Sequence, residues 1–148
     1  MKAVFGALFI TLISLASFAQ DLTSPVGQWK TIDDVTGKPR SIVKIEKEGD
    51  SYTGVIEKIF PQEGDKENPV CDKCKGDKKD QPIIGMKFMW GLKEKGSEFG
   101  GGEILDPKNG TVYRCKMELK SGGKELKVRG FVGVSLFGRT QTWYRAEE

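Results

Sequence analysis

The chain contains no histidine in its 148 residues. That absence removes the Ser-His-Asp and Cys-His nucleophilic constellations, the commonest general base near neutral pH and the commonest transition-metal ligand. Cysteine is scarce as well, at three residues, which with no histidine leaves a structural zinc site short of its usual four Cys and His ligands. Beyond residue 19 no apolar run approaches the roughly 20 residues of a membrane-spanning helix, and no long stretch repeats an apolar stripe at helical spacing. An excess of one charge is also missing. Twenty-four Lys and Arg against 21 Asp and Glu leave a formal charge of +3, with both signs interleaved along the chain. Overall charge therefore provides no footprint for nucleic acid or an anionic membrane.

What is present begins with an export signal. Lys2 precedes an apolar run from Ala3 to Ile13, and the segment Ser14 to Ala19 ends in Ser-Phe-Ala. This is the grammar of a cleavable secretory signal peptide over residues 1–19, with the mature protein starting at about Gln20. Thr11 and Ser14 interrupt the core and leave it too short for a permanent anchor. The expectation is an exported protein, periplasmic or secreted and not membrane-spanning, with a single domain over 20–148 and cysteines that meet an oxidising compartment.

From Gln20 onward, short segments of two-residue alternation are separated by Gly, Pro, Asn and Asp. Thr111 to Lys120 is the clearest: Tyr113, Cys115, Met117 and Leu119 share one face, and Arg114, Lys116, Glu118 and Lys120 the other. A Ser-Gly-Gly turn then leads to Leu126 and Val128, which completes a hairpin. Similar segments near 27–33, 40–47, 52–59, 86–93, 98–105 and 139–146 bring the count to eight. Connections of hairpin length favour a closed antiparallel up-and-down barrel over a sandwich. The exception is the polar stretch 61–82, expected to be a long loop over a barrel end or edge.

Cys71-Asp72-Lys73-Cys74 lies in that loop. A thiol redox motif would need its first cysteine at a helix N-terminus, whereas here a polar stretch with no apolar helical face follows. A local disulfide pinning an exposed loop is the favoured reading. Cys115 is expected as a buried free thiol packed as a small hydrophobe. Asp33-Asp34 reads as turn chemistry, since neighbouring strand residues point to opposite faces, and Gly100-Gly101-Gly102 reads as a bulge or sharp bend. Asn109-Gly110-Thr111 matches a glycosylation sequon, but Asn-Gly there serves the turn.

Gly27-Gln28-Trp29 at the start of the first strand resembles the Gly-x-Trp signature of lipocalins and their calycin relatives. Further segments are Cys71 to Gly76, Asp80 to Gly85, Asp106 to Gly110 with Tyr113, and Arg129-Gly130-Phe131 through Phe137 to Trp143. Together these resemble an uncharacterised family of small exported bacterial proteins with a lipocalin-like barrel. The resemblance implies that Trp29, introduced by Gly27, closes the barrel base under an Arg of the last strand, either Arg139 or Arg145. It implies no activity.

A barrel of about eight strands is either just filled by side chains or holds one small ligand. Met86, Phe88 and Trp90 on one strand, Tyr113, Cys115 and Met117 on another, and Trp143 are the expected lining, with Tyr113 and Gln141 as polar handles. The functional expectation is non-catalytic binding of a small apolar or amphipathic molecule, with no cofactor, no metal and no nucleic acid. Two alternatives stand beside it: a filled barrel that contacts an envelope protein through the 61–82 loop and Phe131 or Phe137, and a thiol redox enzyme.

Overall fold

A computed structural model describes residues 19–134 and 136–146, so the expected signal peptide lies, Ala19 apart, outside the described residues. Eight strands follow in chain order: β1 (Gly27–Ile32), β2 (Pro39–Glu48), β3 (Ser51–Ile59), β4 (Lys87–Lys95), β5 (Glu98–Asp106), β6 (Thr111–Lys120), β7 (Glu125–Phe131) and β8 (Gly138–Arg145). Each pairs antiparallel with the next, and β8 pairs with β1. The fold is the eight-stranded antiparallel barrel that the alternation predicts. Among the described residues no helix is long and apolar enough to cross a membrane.

The alternation works as expected in the β6–β7 hairpin. Met117 lies opposite Val128 and Leu119 opposite Leu126 on the inner side, while Lys116 faces Arg129 and Glu118 faces Lys127 outside. In β4 it does not. Gly91 takes φ 73°, and the strand changes phase around it: Phe88, Met89 and Leu92 are all buried and Trp90 is only half-buried.

An up-and-down barrel gathers alternate connections at the same end. At one end the N-terminal segment and the turn at 121–124 fold beneath Trp29, which is fully buried. The indole Nε1 donates to the Pro25 carbonyl at 2.8 Å. The Arg145 guanidinium lies 4.3 Å from the ring centroid and donates to the carbonyls of Gly123, Val26 and Ser24. Gly123, at φ 87°, lies so close beneath Leu22 that a Cβ would overlap its carbonyl. Ile45, Leu92, Met117 and Leu126 fill the interior above this floor with no exposed surface to speak of.

The other end carries the connections 33–38, 60–86, 107–110 and 132–137. Cys71 and Cys74 form a disulfide, and both residues are enclosed rather than exposed. What encloses them is the β5–β6 turn: the Cys71 sulfur lies 3.6 Å from the Pro107 carbonyl, and a Cβ on Gly110 would overlap the Lys73 carbonyl. An isolated bridge between Val70 and Pro82 ties the loop ends together. Replacing both cysteines with serine should cost about 2 kcal/mol, the chain-entropy value for so small a ring. Because the ring is local, the loss should also show as faster proteolytic cleavage within 61–82 than elsewhere, read by mass spectrometry of limited digests.

Candidate functional site

The barrel is filled in its Trp29 half and hollow in the other. A cavity of about 840 Å³ opens between the four connections of the second end. Its deep wall is apolar: Val43 from β2, Ile56 from β3, Phe88 from β4, Val128 from β7 and Trp143 from β8. The Phe88 and Trp143 rings lie 6.1 Å apart. Gly130 belongs to the same wall and leaves space that any other residue would occupy. Nearer the mouth, Ile59, Ile83, Ile104 and Phe131 continue the apolar lining.

Uncharged polar groups that line the site are already paired. Thr31 and Ser41 share a hydrogen bond of 2.6 Å between their hydroxyls. Trp143 Nε1 donates to Gln141 Oε1 at 3.1 Å, and Gln141 Nε2 donates to Asp34 at 3.1 Å. Tyr113 accepts from Asn109 Nδ2 at 3.0 Å. Charges are confined to the rim, where they pair: Arg40 with Asp65, Arg139 with Asp34 and Lys108 with Asp33. An apolar group can enter this site without displacing an ion, whereas a buried charge would find no counter-charge at the floor.

Rim carboxylates are held in their charged form. Asp33 accepts from the backbone N–H groups of Thr36 and Val35, and these bonds hold its carboxyl below the usual range. For Asp65 the Arg40 hydrogen bond is the larger cause and the Gln62 backbone N–H the second. A carboxylate with a depressed folded pKa stabilises fully above its unfolded value of about 3.9, and that contribution is lost as pH falls through the lowered folded value. The melting temperature should therefore be flat from about pH 5 to 7 and fall below about pH 4. Asp65→Asn should lower it at neutral pH and shrink the acid-side fall, measured by circular dichroism at a series of pH values.

The barrel wall is incomplete on one side of the mouth. Among the described residues, the register of β1 with β8 covers only Trp29↔Arg145 and Lys30↔Tyr144. Beyond that point the strands part around a crevice of about 400 Å³ lined by Ile32, Gly37, Thr140, Thr142 and Tyr144. Asp34 spans the gap through its bonds to Gln141 and Arg139.

The sequence-derived site residues separate into groups. Phe88, Tyr113 and Trp143 line the cavity. Met86, Cys115 and Met117 are buried but are not part of its wall. Burial pushes the Cys115 thiol up to about 12, so it stays protonated. Trp90 requires a correction: it is turned away from the cavity, its Nε1 donating to Glu103 and its ring lying 5.0 Å beneath Lys78 Nζ. The physical reason is a double phase change: the pairing with β3 slips between Lys87 and Met89, so that Phe88 and Met89 are both buried, and Gly91 restores the alternation at Leu92. Of the two arginines, Arg145 sits over Trp29, and Arg139 lies at the opposite end on Asp34. Sequence reasoning missed Val43, Ile56, Val128 and Gly130 as wall residues; the alternation marked Val128 as inward but not as lying at cavity depth. The Cys71–Cys74 disulfide is enclosed, and a single turn of 3-10 helix at Gly76–Lys78 follows it.

The family model described as "Uncharacterized protein conserved in bacteria (DUF2147)" matches residues 27–145. No curated protein matches the chain. Among solved structures, protein HP1028 from Helicobacter pylori, described as belonging to the lipocalin family, is similar, with 17% identity over 84% of each chain and a TM-score of 0.72. At that identity the likeness concerns the fold.

Proposed function

We propose that this chain, which belongs to the DUF2147 family of proteins conserved in bacteria, is an exported carrier that binds one small apolar or amphipathic molecule in the open half of its barrel and does not alter it chemically. The observation that carries this reading is the cavity of about 840 Å³, within the range of small-molecule sites and walled mainly by apolar side chains with a few fixed polar groups. The uncharged floor and charged rim set the ligand's orientation. Its apolar part goes in first, and any charged group stays at the mouth with Arg40, Lys108, Arg139 and their carboxylate partners.

The lipocalin-like fold supports a binding role, and the paired Cys71 and Cys74 suit an oxidising compartment outside the cytoplasm. Heating the processed protein with and without lipids extracted from the envelope of the producing cell tests the proposal. A saturable rise in melting temperature is expected, as for any ligand that binds only the folded state. No shift, together with no copurifying molecule in native mass spectra, would remove it.

A further inference from the structure

The connection between β7 and β8 is a built turn that holds apolar side chains in water. Val132 N donates to the Phe137 carbonyl at 2.9 Å, and Phe137 N donates to the Val134 carbonyl at 3.1 Å. Outside this frame Val132 and Val134 are exposed, and Leu136 and Phe137 are 85% and 71% exposed. Across the mouth, Val35 at the tip of the β1–β2 turn is 91% exposed. Val35, Val132 and Phe137 also line the cavity, so this apolar rim is continuous with the apolar interior. Among the described residues, Val134 and Leu136 belong neither to the buried core nor to the cavity wall.

The charge beneath this tip is predominantly basic. From Leu126 to Ala146 the sequence contains Lys127, Arg129, Arg139 and Arg145 and no acid. On the neighbouring strand, Arg114 lies against the loop, donating to the Gly133 carbonyl at 3.3 Å, and Lys116 stands opposite Arg129. Folding collects Arg114, Lys116 and Arg129 on one outer face near the mouth, where Glu103 of β5 stands opposite Arg114 and Glu118 lies toward the base, bound to Lys120.

We infer that this rim docks the barrel mouth-down on an anionic lipid surface. Val134, Leu136 and Phe137 enter the boundary between headgroups and acyl chains, and Arg114, Lys116 and Arg129 lie at the level of the phosphates. Apolar side chains above a basic collar are the combination by which a surface-bound segment gains from both acyl burial and anionic headgroups. A second copy of the chain is the poorer occupant, because a two-fold contact would set one basic collar against another. A protein seated on the rim would stop the cavity. Docking gives the proposed ligand a route from bilayer to barrel without crossing water, and in that purpose it rests on the binding reading. The docking itself stands on the exposed tip and its collar.

The test uses protein purified from cells expressing the full chain, with its N-terminus fixed by mass spectrometry. Flotation with vesicles of phosphatidylcholine, and of phosphatidylcholine mixed equally with phosphatidylglycerol, should show binding to the anionic vesicles that weakens in high salt. The double variant Val134→Asp with Leu136→Asp should bind them about tenfold more weakly or not at all. Neither residue lines the cavity, so binding of a fluorescent apolar probe should be unchanged in that variant. Failure of the native protein to float, equal flotation on both vesicle types, or equal flotation of the variant would overturn the proposal. So would a native dimer that the variant converts to monomer. Loss of probe binding with flotation intact would instead count against the cavity reading alone.

Discussion

Trp29→Ala is expected to destabilise the fold by about 3–5 kcal/mol, the range for deleting a fully buried large aromatic. Stability of a domain of this size is only about 5–15 kcal/mol, so the melting temperature should fall by more than about 10 °C. Three losses combine. The indole leaves a hole at the closed end, the Pro25 carbonyl loses its donor, and the Arg145 guanidinium loses the ring on which it is stacked. Arg145 still has three carbonyls to bind, so the N-terminal segment should stay in place while the core beneath it loosens. Trp29→Phe separates the contributions: it retains a ring and loses the N–H, at a cost of about 1–3 kcal/mol for an unsatisfied buried carbonyl. Because the cavity lies at the other end, both variants should bind ligand normally below their melting temperatures.

Gly130→Leu should act in the opposite sense, abolishing ligand binding while leaving stability equal or raised. A Cβ at Gly130 meets Ile104 Cγ2 at 3.5 Å and Tyr113 Cβ at 3.6 Å, which is ordinary contact, and its backbone is not in the left-handed region. The side chain beyond Cβ has only the cavity to enter. A glycine within a strand costs roughly 0.5–1 kcal/mol relative to alanine, so replacing it removes that penalty and adds apolar contact. The ligand loses the same volume. Affinity for an apolar probe should drop by at least about tenfold, equivalent to about 1.4 kcal/mol. A melting temperature that does not fall would show that the loss reflects occupied space rather than unfolding. Unchanged affinity with an intact fold would place the ligand elsewhere.

The barrel was legible because its strands carry an uninterrupted period of two where it matters most. Cys115 and Met117 in β6 and Leu126 and Val128 in β7 face inward as their spacing requires. Depth along the barrel axis is a different quantity. A period of two says which side of the wall a residue faces, but not whether it lies in the packed half, as Met117 does, or in the hollow half, as Val128 does. Trp90 was misplaced because the alternation slips between Phe88 and Met89 and returns at Gly91 through a positive φ, a conformation that glycine permits without announcing it. The loop at 61–82 is polar in composition and reads as exposed. Its cysteines are enclosed only because the turn at Pro107–Gly110, some 36 residues along the chain, packs on them. The basic collar needs the fold for a related reason: Arg114 and Lys116 alternate with other residues along β6, and only strand pairing sets Lys116 beside Arg129.

The most direct test of the binding site is a nuclear magnetic resonance titration of the isotopically labelled protein with a neutral single-chain amphiphile such as a medium-length fatty alcohol. Saturable shifts at one molecule per chain are expected for Val43, Ile56, Val128, Gly130, Gln141 and the Trp143 indole N–H, with the Trp29 indole N–H unmoved. Shifts confined to the outer face, or none up to the solubility limit of the alcohol, would contradict the account.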